Sequence, residues 1–314
     1  MVAGSEFTIK NSVKISDVTG FGKTTIGFVL VGFATSLPEL SVSVFAVANP
    51  ENVGVSIGNV LGSNIVNIAL VLGVCILIVV LRRPRYPSFL LTLAKEEMGS
   101  LNFGLFIASI IPLALLYIGY ASRFVGVLLV GIFVYYMIQL ARANKTRGES
   151  KELPISEKNR LRRYALLALV GASVVIATAF FIVESSSFIA TSIGIPRVII
   201  GATIVAFGTS IPEFATSVSS ARKGHFDLAL GNIVGSGFIN ITLILGVALM
   251  ASPLTVNIAA FSNLVMFSLI INLFLWYFLG NERISWREGV LLIALYAIFL
   301  VISFGSSAIT IPGG

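Results

Sequence analysis

A carboxylate inside a run of apolar residues is costly, and this chain carries the same such arrangement twice. Thr35-Ser36-Leu37-Pro38-Glu39 lies within the apolar stretch 27–48 and returns as Thr209-Ser210-Ile211-Pro212-Glu213. An acidic side chain near a bilayer centre costs about 2.5–3.5 kcal/mol on insertion scales, so it marks a functional position by default. The surroundings repeat too. Residues 32–39 match 206–213 at five of eight positions, and 58–73 match 231–246 at nine of sixteen. The offsets are 174 and 173 residues, so the loop between the paired segments differs by a single residue.

Only 11% of the 314 residues are charged and 56% are hydrophobic, at a mean hydropathy of +0.98. Soluble domains carry about 25% charged residues. The chain therefore reads as an all-α polytopic membrane protein, because a segment in lipid must satisfy its own backbone. Nine spans are expected, near 24–48, 55–81, 99–120, 122–142, 164–188, 195–221, 227–250, 255–279 and 288–308. Residues 1–22 lack an apolar core behind a basic start and do not read as a signal peptide. The single cysteine, Cys75, excludes a disulfide framework or a cysteine metal cluster and reads as a small buried hydrophobe.

The net charge of +7 is explained by where the basic residues fall, not by a nucleic-acid partner. Lys10, Lys14 and Lys23 precede the first span, and Arg82, Arg83 and Arg85 follow the second. The polar segment 143–163 holds Lys145, Arg147, Lys151, Lys158, Arg160, Arg162 and Arg163. Arg222, Lys223 and His225 follow the sixth span, and Arg283 and Arg287 the eighth. Threaded in order, all of these share one side; the other carries little beyond Glu51, Arg123 and Arg197, with Glu184 near a helix end. The positive-inside rule makes the basic side cytoplasmic and puts the C-terminus outside a cell membrane.

Five spans separate the first motif from its copy, and an odd number inverts the second copy. Inverted repeats with interrupted helices typify secondary transporters, whose substrate sites lie at the midplane between the halves. The expected organisation is a first repeat over 1–142, a basic cytoplasmic linker over 143–163 and a second repeat over 164–314, each repeat of about five helices. The first repeat has only 1–23 where the second has a leading span, so either its first helix is largely absent or the sequence starts late.

Proline has no amide hydrogen, so Pro38 frees the carbonyl of Ala34 and Pro212 that of Gly208. On a helix Thr35 and Ser36 lie on the face of Glu39, at spacings of four and three residues. Ser63 and Asn67 repeat this spacing on the next span, as do Ser236 and Asn240. All of these are hard oxygen donors, which suit Ca²⁺ and Na⁺ and not zinc or copper. Glu39 and Glu213 together neutralise one Ca²⁺. If Na⁺ or H⁺ occupies the same oxygens, the loads exclude one another, and competition of that kind is the simplest route to counter-transport. Gly58-x-x-x-Gly62 and Gly231-x-x-x-Gly235 read as close helix packing. Asn59 and Asn232 are duplicated as well, with no ligand geometry evident from spacing.

These elements resemble the sodium/calcium exchangers of the cation/calcium antiporter superfamily. The Thr-Ser-x-Pro-Glu and Gly-Ser-Asn-x-x-Asn segments are similar to its two alpha repeats, over nearly the whole chain. The proton/calcium branch usually carries Gly-Asn-x-x-Glu at the key glutamate, so the form present twice here favours the sodium branch. The resemblance implies ten helices in two inverted halves around four cation sites. It implies that Glu39 and Glu213 ligate Ca²⁺, with Thr35 and Thr209 contributing mainly carbonyls. Ser36, Ser63, Ser210 and Ser236 would line sodium sites, Ala206 would offer a carbonyl, and Asn67 and Asn240 would border the middle site. The first and sixth family helices, the latter matching 164–188, would slide to alternate access.

The chain departs from the family at Asn240, where many members carry aspartate, and at Gly32 and Gly237, which replace small or amide residues. The expectation is thus a Na⁺/Ca²⁺ antiporter without a cofactor, whose partners are the ions and the lipid bilayer; the sequence leaves the oligomeric state open, a monomer included. The rival readings are an H⁺/Ca²⁺ or K⁺-dependent Na⁺/Ca²⁺ exchanger and, more remotely, a cation channel. An enzyme is disfavoured because the only histidine, His225, lies in a loop.

Overall fold

The computed structural model describes residues 32–82, 88–90, 95–145, 155–255, 258–280 and 283–309. Residues 1–31, on which the expectation about the first helix falls, and linker residues 146–154 lie outside them.

The first motif forms a broken helix, α1 (Gly32–Thr35) and α2 (Leu37–Val47). A short turn at Pro50–Asn52 leads into α3 (Val53–Ile65), which continues through a π-helical stretch, Val66–Leu72, into α4 (Gly73–Leu81). Strand β1 (Ser88–Leu90), helix α5 (Lys95–Ile118), strand β2 (Tyr120–Ala121) and helix α6 (Arg123–Lys145) complete the first half.

The second half opens with α7 (Ile155–Ile193) and α8 (Arg197–Ile200), then a π-helical stretch at Gly201–Val205. It breaks again between α9 (Ala206–Thr209) and α10 (Ile211–Arg222). Helix α11 (Phe226–Ile239), a π-helical stretch at Asn240–Ile244 and α12 (Leu245–Ala251) follow. Strand β3 (Leu254–Thr255), α13 (Ile258–Gly280), strand β4 (Arg283–Ser285) and α14 (Trp286–Ile309) close the chain.

Among the described residues five helices are long and apolar enough to cross a membrane: Val53–Leu81, Leu101–Ile118, Phe226–Ala251, Phe261–Gly280 and Trp286–Gly305. The pair Arg197–Thr209 and Ile211–Arg222, bent by 46°, makes a sixth. The other three expected spans are also helical, each with only part of its length among the described side chains. The first begins before the described residues and shows Leu37–Val47; the fourth and fifth show Arg123–Gln139 and Phe181–Ile193. Helix α7 starts inside the stretch read as linker, because Glu157, Lys158 and Arg160 are helix formers that extend a helix beyond its apolar part.

Loop contacts show which helix ends lie together. Strands β1 and β4 pair antiparallel, Phe89 opposite Ile284, and β2 pairs with β3, Tyr120 opposite Thr255. The Arg82 guanidinium donates to the Arg222 carbonyl, and Arg197 meets Glu51 at 3.2 Å. Each contact joins ends that ordered threading of nine spans places on one side. The Arg197–Glu51 pair is exposed at Glu51, and such pairs are worth at most about 1 kcal/mol. Glu51→Gln is expected to leave melting of the detergent-solubilised protein nearly unchanged; a loss of well over 1 kcal/mol would contradict this reading.

Burial separates an inner layer from a lipid-facing one. Of the most apolar window in Phe226–Ala251 83% is buried, and in Val53–Leu81 67%, against 28% in Trp286–Gly305. The inner helices approach closely because glycines line their contacts. A Cβ on Gly62 would lie 2.5 Å from the Ala202 Cα, and one on Gly201 would lie 2.5 Å from the Val55 carbonyl oxygen. The outer helices dock in symmetric pairs: Gly73 faces Gly289 at 3.0 Å and Gly126 faces Gly246 at 2.6 Å, each from the Cβ position to the opposing carbonyl oxygen. Phe238 on α11 is held by Tyr136, with ring centroids 4.9 Å apart, and by Phe103 at 6.0 Å.

Candidate cation site

The two helix breaks are nearly identical. Ser36 has φ −80°, ψ 3° and Ser210 has φ −82°, ψ 4°, where each helix stops and restarts. A proline two residues on removes one helical hydrogen bond and crowds the preceding turn, and that explains the position. Restarting puts Glu39 in the first turn of α2 and Glu213 in the first turn of α10. Two half-helix N-termini, with their exposed amides and positive dipole ends, thus begin at the carboxylates.

Thr35, Ser36, Glu39, Ser63, Asn67, Ala206, Thr209, Ser210, Glu213, Ser236 and Asn240 are all buried. The hydrogen bonds cross between the halves. Ser210 Oγ donates to Glu39 Oε1 at 3.2 Å, and Ser36 Oγ lies 3.4 Å from Glu213 Oε1. Ser236 Oγ also donates to Glu213 Oε1, at 3.1 Å, and sits 2.7 Å from Ser36 Oγ. Each glutamate is therefore approached by the serine of the opposite repeat, and Glu213 is held as well by Ser236 of its own.

Asn59 and Asn232, singled out in the sequence only as duplicated, form the next layer. Thr209 Oγ1 donates to Asn59 Oδ1 at 3.0 Å, and Thr35 Oγ1 to Asn232 Oδ1 at 3.3 Å. Asn59 Nδ2 in turn donates to the Glu39 carbonyl at 3.3 Å, and Asn232 Nδ2 to Ser217 Oγ at 3.0 Å. Ser63 Oγ stands 3.5 Å from Thr209 Oγ1. The threonine hydroxyls are thus committed to packing the halves together. The carbonyls of Gly32 and Ala206 accept the amides of Ser36 and Ser210 and are the alternative acceptors for the single hydroxyl protons of Thr35 and Thr209, at 3.1 and 3.2 Å.

Asn67 and Asn240 belong to the π-helical stretches. Such local widening of a helix is frequent at functional sites. Asn240 Nδ2 donates to Asn64 Oδ1 at 3.0 Å. Asn64 stands where the second repeat has Gly237, whose missing side chain leaves room for it: a Cβ there would be 3.6 Å from Asn64 Oδ1. The mismatch between Asn64 and Gly237 was the only sequence signal for this contact.

Among the sequence-expected ligands, four buried side-chain oxygens remain without a protein partner: Glu39 Oε2, Glu213 Oε2, Asn67 Oδ1 and Asn240 Oδ1. An unpartnered polar atom in a dry interior costs about 1–3 kcal/mol, and more when charged. A cation bound by these oxygens would remove that cost. Among the described residues no three of His, Cys, Asp and Glu cluster, so the donor set is carboxylate, hydroxyl, amide and carbonyl oxygen, which suits hard cations.

Comparison with known proteins places this architecture. The family described as "Sodium/calcium exchanger protein" matches residues 1–141 and 163–305. The chain belongs to the sodium/calcium exchanger family. Sodium/calcium exchanger MaX1 of Methanosarcina acetivorans is 33% identical over an alignment of 336 residues, covering 97% of this chain and 95% of that protein. Inner membrane protein YrbG of Escherichia coli is 29% identical, covering 93% and 90%. A solved structure of the sodium-calcium exchanger NCX_Mj, soaked with 2.5 mM Na⁺ and 10 mM Sr²⁺, superposes at a TM-score of 0.68 with 27% identity, over 95% of this chain and 93% of that one. The H⁺/Ca²⁺ exchanger CAX shares the fold, at a TM-score of 0.75 and 20% identity, over 98% of this chain and 82% of that one. Exchangers of this family are secondary transporters, so the chain is a multi-pass membrane transporter and not an enzyme.

Proposed function

We propose that this chain exchanges Ca²⁺ for Na⁺ across a cell membrane by alternating access, with Glu39 and Glu213 as ligands common to both loads. The observation that carries this reading is the reciprocal crossing of the halves, in which Ser210 holds Glu39 and Ser36 holds Glu213. Any movement of one repeat against the other alters both carboxylates together. Two carboxylates match the charge of one Ca²⁺, and the same oxygens divide among Na⁺ ions with the hydroxyls of Ser36, Ser63, Ser210 and Ser236. Thr35 and Thr209 contribute backbone carbonyls, since their hydroxyls are already engaged. Ala206 is the weakest member of the set in this conformation, because its carbonyl already accepts the Ser210 amide and faces the Thr209 hydroxyl at 3.2 Å. Asn67 and Asn240 offer uncharged oxygens to the middle of the site, so Asn240 adds no third negative charge. The basic segment around 143–163 faces the cytoplasm and the C-terminus the outside.

The resemblance of fold to CAX leaves H⁺ as the rival coupling ion. In proteoliposomes an outward Na⁺ gradient is expected to drive uptake of radiolabelled Ca²⁺, whereas H⁺ or K⁺ gradients of equal size are not. Uptake driven by H⁺ and indifferent to Na⁺ would sink the sodium assignment and leave the shared-ligand scheme standing.

A further inference from the structure

The two halves of the site are not equivalent one helical turn beyond the glutamates. On α2, Ser43 follows Glu39 by four residues and shares its face. On α3, Ser56 precedes Asn59 by three and Ser63 by seven, and so lies on the face those two turn to the site. Helices α2 and α3 form an antiparallel hairpin through the Pro50–Asn52 turn, with register set by the 3.3 Å bond from Asn59 Nδ2 to the Glu39 carbonyl. Moving out from that bond, one turn along α2 and just under one turn back along α3, Ser43 and Ser56 come level.

Both serines are buried, at 1% and 0% exposure, and neither hydroxyl has a hydrogen-bond partner. Ser268 Oγ on α13 is likewise without a partner, but three other helical serines fold back onto their own helix. Ser41, Ser109 and Ser186 each donate to the carbonyl four residues back, at 2.8, 2.8 and 2.6 Å. The second repeat closes the equivalent position. Ser217, the counterpart of Ser43, accepts from Asn232 Nδ2 at 3.0 Å, and the counterpart of Ser56 is Ala229. Because the repeats are inverted, a difference between them is a difference between the two faces of the membrane. The free hydroxyls lie toward the end carrying Glu51 and Arg197, whereas the equivalent positions toward the basic end hold the bonded Ser217 and Ala229.

We infer that Ser43 and Ser56 form a staging position for a monovalent cation, Na⁺ with part of its water shell, between the Glu51/Arg197 surface and Glu39. Two neutral oxygens can replace part of a hydration shell but cannot offset the double charge of Ca²⁺, so the position favours Na⁺. It makes sodium entry from that face easier than from the basic face. The inference rests on the proposed role of Glu39 and adds a side-dependence that the ligand set alone does not have.

The test uses the full chain in proteoliposomes, with orientation scored by trypsin cleavage within the basic segment 146–163. The Na⁺ dependence of Ca²⁺ exchange is titrated from each face for the wild type, Ser43→Ala, Ser56→Ala and Ser43→Thr. In the alanine variants half-saturating Na⁺ is expected to rise about threefold to tenfold at the Glu51/Arg197 face alone, the scale of losing one uncharged oxygen contact. Ser43→Thr, which keeps the hydroxyl, is expected to match the wild type. Equal shifts at both faces, or no shift at either, would overturn the staging position. Sodium-driven exchange by the wild type is read in the same vesicles, so failure of the exchanger reading itself is seen separately.

Discussion

Glu213→Gln is expected to abolish Ca²⁺ exchange, lowering its rate at subsaturating Ca²⁺ by at least about 100-fold, which is about 2.7 kcal/mol. The substitution removes one of only two formal negative charges in the donor set and keeps the shape. Affinity of oxygen sites for Ca²⁺ is set largely by how many charged ligands they contain. The hydrogen bonds need not change: Ser36 and Ser236 approach Oε1 at 3.4 and 3.1 Å, and an amide oxygen accepts them equally well. The orphaned Oε2 becomes an amide nitrogen with no charge to leave unpaired. Since burying a carboxylate is the costly state, the variant is expected to fold and melt at or above the wild-type temperature. Glu39→Gln is expected to behave alike, because an amide oxygen accepts the Ser210 hydroxyl, 3.2 Å from Glu39 Oε1, in the same way. Retained Ca²⁺ exchange in either well-folded variant would place the transport site elsewhere.

The parts of this site that could be read from sequence are those encoded locally and then copied. A proline, a carboxylate and two hydroxyls within five residues state their own spacing, and the duplication made chance an unattractive explanation. The helix break was expected from Pro38 and Pro212, and it falls two residues earlier, at Ser36 and Ser210, because the ring of a proline crowds the turn before it. The contacts that lock the repeats together were not legible. Asn59 and Thr209 are 150 residues apart, and Thr35 and Asn232 are 197 apart, so no local pattern ties either asparagine to its threonine. The π-helical stretches at Val66–Leu72 and Asn240–Ile244 were equally hidden, since they arise from packing and not from a distinctive residue type.

The packing of α3 makes the largest stability prediction. Gly58→Val is expected to cost at least about 3 kcal/mol, the upper end for overpacking a core. A Cβ at Gly58 would fall on the Val198 carbonyl oxygen and lie 2.7 Å from the Ala202 amide nitrogen. Both atoms are backbone, so no side chain can rotate away, and relief requires α3 and the 198–202 segment to separate. That separation reaches the site directly. Asn59 and Ser63, on the same helix, stand 3.0 and 3.5 Å from Thr209, which follows the 198–202 segment on the same broken helix. The variant is expected to melt at clearly lower temperature in detergent and to lose Ca²⁺ exchange even where folded protein is recovered. Gly131→Ala is the matched control, because a Cβ at Gly131 meets nothing within 4 Å, and it should melt and transport like the wild type. Equal stability of the two variants would mean that the close approach of α3 to the broken helix is not what holds the halves of the site in register.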